Sequence, residues 1–123
     1  MFDKRLADFD LEYLAQQLVI ERDTLFDYMS ISTLYKRYFL KYETRHIELP
    51  QAFWMRVAMG LSYNEPDKNK AAVEFYNVMS TLHYVPSTPT LLHSALLRPQ
   101  LSSCFLATVE DDLTNILINE LKL

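Results

Sequence analysis

The sequence predicts a mainly α-helical domain, on the basis of its glycine content, its hydrophobic spacing and its length. Among 123 residues, Gly60 is the single glycine, where average usage would give about eight or nine. Hairpin-rich folds and the phosphate loops of Rossmann and P-loop proteins need several glycines, so both are disfavoured. Half of the residues are hydrophobic and 23% are charged, which fits one globular domain better than a disordered chain.

Two helices are predicted in the N-terminal third of the chain. The first covers residues 8–20, where leucine and alanine recur at helical spacing. The second covers residues 32–41, and Ser32 or Thr33 can accept a hydrogen bond from a free N–H at its start. The residues of the second helix expected to be buried are Leu34, Tyr35, Tyr38 and Phe39.

The two middle helices have the clearest start signals. Pro50 suits the first turn of a helix, because its missing N–H would have no partner there anyway. Another helix is predicted to open at Asn64 or Glu65, just before Pro66. The residues expected to face the core are Phe53, Trp54, Val57, Ala58 and Leu61 in the first of these helices and Ala71, Ala72, Phe75, Val78, Met79 and Leu82 in the second.

The pattern changes after these helices. Three prolines and a series of Ser and Thr predict a loop over 85–101, with one helical turn at 90–95. Residues 103–109 form an apolar run that predicts a strand buried on both faces. Asp111 and Asp112 follow at a place where carboxylates favour a helix N-terminus, and an amphipathic helix is expected after them.

Charge and hydropathy exclude two classes of partner. Sixteen acidic residues against twelve Lys and Arg give a net charge of −4, so a nucleic acid partner is not expected. No apolar run approaches the roughly 18 residues of a membrane span. The acidic, amphipathic N-terminal stretch lacks the features of a signal peptide. We therefore expect a cytoplasmic protein without membrane contact.

The cysteine and histidine residues limit the possible metal chemistry. The single cysteine, Cys104, excludes an intrachain disulfide and a cysteine-based zinc site. The three histidines are dispersed, and none forms a pair at helical spacing. Because a useful site needs three or four convergent donors, no metal ligand is predicted in this chain.

Cys104 and the acidic run after it each allow two interpretations from pattern alone. A lone cysteine in an apolar strand is most often an inert buried side chain, whereas a reactive thiol needs partly exposed, electropositive surroundings. Ser102 and Ser103 supply hydroxyl groups that could hold a phosphorylated or polyhydroxylated ligand. The acidic run at 110–112 could bind a cation, although capping of the next helix fits its position better.

Several short motifs occur in a fixed order along much of the chain. They are TLYKRY at 33–38, IELPQ at 47–51, WMRVA at 54–58, GL at 60–61, STPTL at 87–91, RPQLSSCFL at 98–106 and VEDDL at 109–113. Together they closely resemble the large subunit of class I ribonucleotide reductase, over residues from about 24 to about 117. Ordered motifs over that length are far more specific than one short pattern.

The resemblance implies a fold and an activity. The implied fold is a helical N-terminal domain over 1–85 that leads into the first strand and helix of an incomplete ten-stranded α/β barrel over 86–123. The implied activity is the reduction of ribonucleotides to deoxyribonucleotides by thiyl-radical chemistry with a redox-active cysteine pair. The radical comes from a metal-containing small subunit, and no cofactor is bound by this chain. The implied partners are a second large subunit, the small subunit, and thioredoxin or glutaredoxin as reductant.

The resemblance also implies roles for particular residues. Cys104 matches the first cysteine of the redox pair and adjoins the ribose. Thr88 and Ser103 match positions that contact the substrate nucleotide. The three residues that match the start of the helix that binds a nucleoside triphosphate effector at the homodimer interface are Asp111, Asp112 and Leu113.

The sequence departs from that family at several points. The second cysteine of the pair, the thiyl-forming cysteine, the barrel glutamate and the cysteine-containing tail have no counterpart in these 123 residues. The regulatory ATP-binding cone of many relatives has none either. Where relatives commonly have Asn-Ser-Gly, this chain has His93-Ser94-Ala95, so a glycine's conformational freedom is lost.

These departures lead us to expect a fragment of a reductase that has no turnover by itself. Two alternatives stay open, namely a noncatalytic helical interaction module and one half of a split reductase. A strand over 102–109 would leave both edges unpaired. We therefore expect the helices between 32 and 84 to be best protected against hydrogen exchange, and the region after 100 to be least protected.

Overall fold

Two helices in the middle of the chain, packed against each other, organise the fold. The computed structural model describes residues 2–122, with the main chain only for residue 122. The elements are a 3-10 turn at Lys4–Asp8, α1 Leu11–Gln16, a second 3-10 turn at Ile20–Leu25, α2 Tyr28–Arg37, β1 Lys41–Tyr42, β2 Arg45–His46, α3 Pro50–Leu61, α4 Lys68–Ser80, α5 Thr88–His93 and α6 Leu113–Lys122. The mainly helical prediction is confirmed. Among residues 2–122, no helix is both long and apolar enough to cross a membrane.

The pair formed by α3 and α4 is the centre of the core. Pro50 begins α3 as predicted, and Phe53, Trp54, Val57 and Ala58 are all buried. From α4 the core receives Ala72, Tyr76 and Met79. The predictions for Leu61, Val78 and Leu82 are wrong, because these three side chains lie at the edges of the pair and are exposed.

The helix starts differ from prediction where an aspartate provides the cap. α2 begins four residues earlier than predicted, because the Asp27 side chain accepts a hydrogen bond from the Ser30 N–H at 2.7 Å. In the same way Asp67, rather than Asn64 or Glu65, caps α4 through the Lys70 N–H. Neither Ser32 nor Thr33 is a cap, since both lie inside α2.

The first predicted helix is shorter than its apolar spacing suggested. Instead of one helix over 8–20, α1 covers Leu11–Gln16 between two 3-10 turns. Asp10 caps α1 by accepting from the Tyr13 N–H, and Leu14 is its buried residue. Leu14 lies in the core, and beyond α1 the Val19 N–H donates to the Tyr76 hydroxyl of α4 at 2.9 Å instead of to a helix carbonyl.

A two-stranded hairpin lies between α2 and α3, where no strand was predicted. Its antiparallel strands pair Lys41 with His46 and Tyr42 with Arg45. The turn contains Glu43 in the left-handed region, with φ of 56°, a conformation that usually requires Gly or Asn. The imidazole of His46 stacks on Tyr35, with 3.7 Å between ring centroids. Tyr35 is therefore held on the surface, and its predicted burial is wrong.

The strand predicted at 103–109 is absent from the part of the chain that the structure describes. These residues are irregular and exposed, and Leu106 is fully accessible to solvent. A strand needs a neighbour to complete its hydrogen bonds, and none of the described residues forms one beside this run. The barrel continuation implied by the resemblance therefore stays a prediction.

Candidate functional site

Arg56 and Glu48 form a buried ion pair at one face of α3. The Arg56 Nε lies 2.6 Å from Glu48 Oε2, and both side chains are more than nine-tenths buried. Arg56 Nη2 donates a second hydrogen bond to Glu48 Oε1 at 3.2 Å. Charge-assisted pairs of this two-bond geometry are strong and directional, so the position of the guanidinium plane is closely defined.

The same guanidinium binds the end of α5. Arg56 Nη2 donates to the Leu91 carbonyl at 3.1 Å, and Arg56 Nη1 donates to the Ser94 carbonyl at 2.8 Å. Carbonyls at a helix C-terminus lack intrahelical partners, and a cation is favourable there. Glu48 in turn accepts the Leu40 N–H at 3.0 Å. The ion pair thus joins the hairpin region, α3 and α5.

Residues 87–101, which we call the docked loop, pack directly on α3. The Ser94 hydroxyl donates to the Val57 carbonyl at 2.9 Å. A Cβ atom added to Gly60 would overlap the Ser94 hydroxyl and the Ala95 main-chain nitrogen. The single glycine of the sequence therefore stands where the loop comes closest to the helix.

Ala95 completes this packing in an unusual conformation. Its φ is 66°, in the left-handed region that favours glycine. Its carbonyl accepts the Asp3 N–H at 3.0 Å, and the neighbouring Leu96 forms a bridge with Phe2. The N-terminal stretch of the chain thereby closes over the loop.

Thr88, one of the predicted substrate-contacting residues, begins α5. Its hydroxyl lies 3.0 Å from the Tyr38 hydroxyl. Further along the docked loop, Thr90 Oγ1 donates to the Leu101 carbonyl at 3.1 Å. His93 Nδ1 lies 3.0 Å from the Gln100 carbonyl, and it must carry the proton because a carbonyl only accepts. These bonds fold the loop back on itself and lead the chain toward residue 102.

Ser103 and Cys104 lie just beyond the docked loop and are exposed. The Cys104 thiol is free, and its Sγ lies 3.9 Å from Ser103 Oγ. Burial of Cys104 in an apolar strand, the commoner fate of such a residue, is therefore wrong for this structure. Within residues 2–122, no hydrogen bond joins Thr88 to Ser103 or Cys104.

The predicted effector residues lie at the start of α6. Asp112 Oδ2 accepts the Asn115 N–H at 3.1 Å, which is the capping role that the acidic run suggested. Asp111 and Leu113 are exposed. In the described part of the chain, no group of three or more His, Cys, Asp and Glu side chains converges as a metal site would require.

A small cavity of about 180 Å³ lies between the docked loop and the end of α3. Tyr63 lines it, and the Arg5 guanidinium stacks over the Tyr63 ring at 4.1 Å. Burial raises the pKa of the Tyr63 hydroxyl, and the charge of Asp3 raises it further against an opposing effect of Arg5.

Sequence reasoning missed the residues that fix the docked loop, namely Arg56, Glu48 and Ser94. Arg56 had a usable signal, because it stands among apolar residues that fill both sides of α3. A charge in such a helix is almost never buried without a partner. The identity of that partner depends on tertiary packing, and the local pattern does not contain it.

Comparison with known proteins identifies the family. The family model described as "Ribonucleotide reductase, all-alpha domain" matches residues 24–98, which is more than half of the chain. The chain belongs to the ribonucleotide reductase family. The matched region includes α2, the hairpin, α3, α4 and α5, and therefore contains the Arg56 ion pair and Thr88.

Individual relatives extend the similarity beyond this domain. The chain is 54% identical over 108 residues to ribonucleoside-diphosphate reductase subunit alpha of Chlamydia trachomatis, covering 88% of the chain and 10% of that protein. It is 46% identical over 109 residues to subunit alpha of Helicobacter pylori, covering 88% and 14%. It is 36% identical to the large chain of Schizosaccharomyces pombe, covering 100% and 15%. The chain thus spans between 10% and 15% of the length of these relatives.

Proposed function

We propose that this chain is the N-terminal helical part of a ribonucleoside-diphosphate reductase large subunit. The observation that carries the proposal is the similarity to named reductase subunits over 88–100% of the chain. The reaction is the reduction of ribonucleotides to deoxyribonucleotides, with a thiyl radical initiated by a metal-containing small subunit. The metal belongs to that partner, and the proposal places none in this chain.

Cys104 is proposed as one member of the redox-active cysteine pair. The exposure of its thiol supports this role, because a sulfur that meets a sugar and then a second thiol must be accessible. Two thiols deliver two electrons when they become a disulfide. Since the sequence contains one cysteine, the partner thiol must come from another polypeptide segment, and the 123-residue chain alone is expected to be inactive.

The substrate and effector roles are likewise proposals. The hydroxyls of Thr88 and Ser103 are exposed enough to donate to a nucleotide phosphate. Asp111, Asp112 and Leu113 are proposed to contact a nucleoside triphosphate effector between two large subunits. Capping of α6 by one Asp112 oxygen leaves its other oxygen for a sugar hydroxyl. The proposed reductant is thioredoxin or glutaredoxin.

A chimeric enzyme tests the proposal directly. The chain replaces the matching segment of the Chlamydia trachomatis subunit alpha, and deoxynucleotide formation is measured with that organism's small subunit and a dithiol reductant. We expect turnover in the chimera and none in the Cys104→Ser variant, since serine cannot form a disulfide. A folded chimera without turnover would refute the proposed function, and full turnover by Cys104→Ser would refute the role of the thiol.

A second candidate function is a noncatalytic interaction module or one half of a split reductase. It is favoured by the exposed apolar side chains of α6, which are Leu113, Ile116, Leu117, Ile118 and Leu121. Contiguous apolar surface of this kind is typical of protein contacts. Mixing the separate chain with a Chlamydia trachomatis subunit alpha that lacks the matching segment distinguishes the cases. Turnover in trans supports a split enzyme, whereas binding without turnover supports an interaction module.

A further inference from the structure

The Arg56 ion pair is costly for a core that apolar residues could fill. Both partners are more than nine-tenths buried, and two charges taken out of water often gain no stability over an apolar replacement of similar volume. Such a pair is best explained by what it positions. The bonds of Arg56 beyond Glu48 both end on the docked loop, at the Leu91 and Ser94 carbonyls.

The geometry of these bonds requires a guanidinium. One edge of the Arg56 guanidinium faces the two oxygens of Glu48. Its remaining N–H groups donate to the carbonyls of Leu91 in α5 and of Ser94, the residue that caps α5. A lysine ammonium is a point charge with three donors and lacks this planar fork. The arrangement therefore fixes the rotation of α5 as well as its distance from α3.

The consequences extend to the predicted site residues. Thr88 is the first residue of α5, so its position follows that of the helix. At the other end, Thr90 and His93 bind the Leu101 and Gln100 carbonyls, and these residues lead directly to Ser103 and Cys104. We propose that Arg56 is a positioning residue that presents Thr88 to the nucleotide, and sets the point from which the chain continues to Cys104, without touching the nucleotide. This inference rests on the proposed function.

Glu48 connects the Arg56 guanidinium to the hairpin. Its Oε1 accepts both the Arg56 Nη2 donor and the Leu40 N–H. Leu40 directly precedes β1, so the hairpin fixes the carboxylate that orients the guanidinium. Glu48 is therefore a second positioning residue that acts through Arg56.

Hydrogen exchange on the 123-residue chain tests the structural half of the inference. In Arg56→Lys, we expect about tenfold faster exchange of the hydrogen-bonded Leu91, Ser94 and Leu96 amides, the size of effect that loss of one such bond gives. The Phe53 amide in α3 should accelerate by no more than this factor and stay far better protected than the loop amides, because it opens only with the whole domain. The matched control is Arg37→Lys, because Arg37 is exposed on α2, and it should change neither group.

A double variant guards against simple loss of folding. Glu48→Gln with Arg56→Met removes both charges, so no unpaired ion is left in the core. We expect the same selective release of the docked loop with the Phe53 amide still protected. Unchanged exchange of the loop amides in both variants would overturn the inference, and so would a fall of the Phe53 protection to the level of the loop amides in both.

Kinetics of the chimera test the functional half. In Arg56→Lys, we expect KM for the ribonucleotide to rise about tenfold or more, with a smaller change in kcat, at a temperature where circular dichroism shows the variant chimera to be fully folded. A merely structural role would lower the amount of active enzyme without changing KM. If the chimera with the unchanged chain is active and the Arg56→Lys chimera has the same KM, the inference is overturned. An inactive wild-type chimera instead refutes the proposed function, while the exchange experiment still decides whether Arg56 holds the loop.

Discussion

The α3–α4 pair and the segment after residue 101 are both rich in apolar residues, yet only the first is a core. Phe53, Val57 and Ala72 have no exposed surface, whereas Phe105 and Leu106 are mostly or fully exposed. The composition of the two regions does not explain the difference. Residues of α3 face a second helix in the same chain, while residues 102–109 have no facing element among the described residues 2–122. An apolar pattern therefore predicts that a surface is covered, but it does not identify what covers it.

The contrast in burial leads to the largest expected effect, which is a difference in hydrogen exchange. Amides of α3 and α4 should open only with the whole domain, while the amides of 102–109 have little to protect them. We expect at least about a thousandfold difference in protection. Exchange followed by mass spectrometry or NMR measures it, and similar protection of both regions would show that the later segment is packed after all.

The Gly60→Ala substitution tests whether the docked loop packs on α3, and its expected effect is the second largest. In an exposed helix this change would stabilise by about 1 kcal/mol, but here the new Cβ overlaps Ser94 and the Ala95 nitrogen. We expect a loss of about 1–3 kcal/mol in the free energy of unfolding, measured by urea denaturation. The exposed position Asn64 provides a control with Asn64→Ala, which should change little. A stabilised Gly60→Ala variant would mean that the docked loop is not seated on α3.

The Ala95→Gly substitution, in the loop residue that contacts Gly60, should change the free energy of unfolding by a smaller amount and in the opposite direction. Ala95 holds φ of 66°, which costs an L-residue roughly 1–2 kcal/mol. Ala95→Gly relieves this strain and loses about 0.4–1 kcal/mol through the more flexible unfolded chain. We therefore expect a net gain between about 0 and about 1.6 kcal/mol in the free energy of unfolding. The comparison with Ala95→Val is informative, because a β-branched side chain should be clearly destabilising there.

The smallest expected effect follows from removing the later segment. A chain that ends at Leu101 keeps the hydrogen bond from Thr90 to the Leu101 carbonyl and loses the exposed run and α6. Its free energy of unfolding should stay within about 0.5 kcal/mol of the full chain. Chemical denaturation followed by circular dichroism is a suitable measurement. A large loss would contradict the separation of the two regions.

The middle of the fold was predictable from the sequence because its signals are local. Pro50 marks the start of α3, and the spacing of apolar residues places Phe53 and Trp54 in the core. The prediction for the start of α2 is wrong because its apolar stripe begins at Leu34, well after the cap at Asp27. The hairpin could not be predicted, since its left-handed turn residue is a glutamate.

The candidate site was only partly accessible from the sequence. Family resemblance supplied the roles of Thr88, Cys104 and Asp112, and these roles stay predictions. The replacement of a family glycine by Ala95 was visible in the sequence, and the structure shows that this position does adopt the glycine-type conformation. The Arg56–Glu48 pair depends on three segments that meet only after folding, so no single window of sequence contains it.

The exposure of Cys104 has a practical consequence. Because it is the single sulfhydryl of the sequence and is open to solvent, an alkylating reagent such as a maleimide dye will label the chain at one known atom. The labelling rate then reports on how far this atom is shielded. If another polypeptide binds over Cys104, the labelling rate should fall, and the time course of that fall would follow the binding.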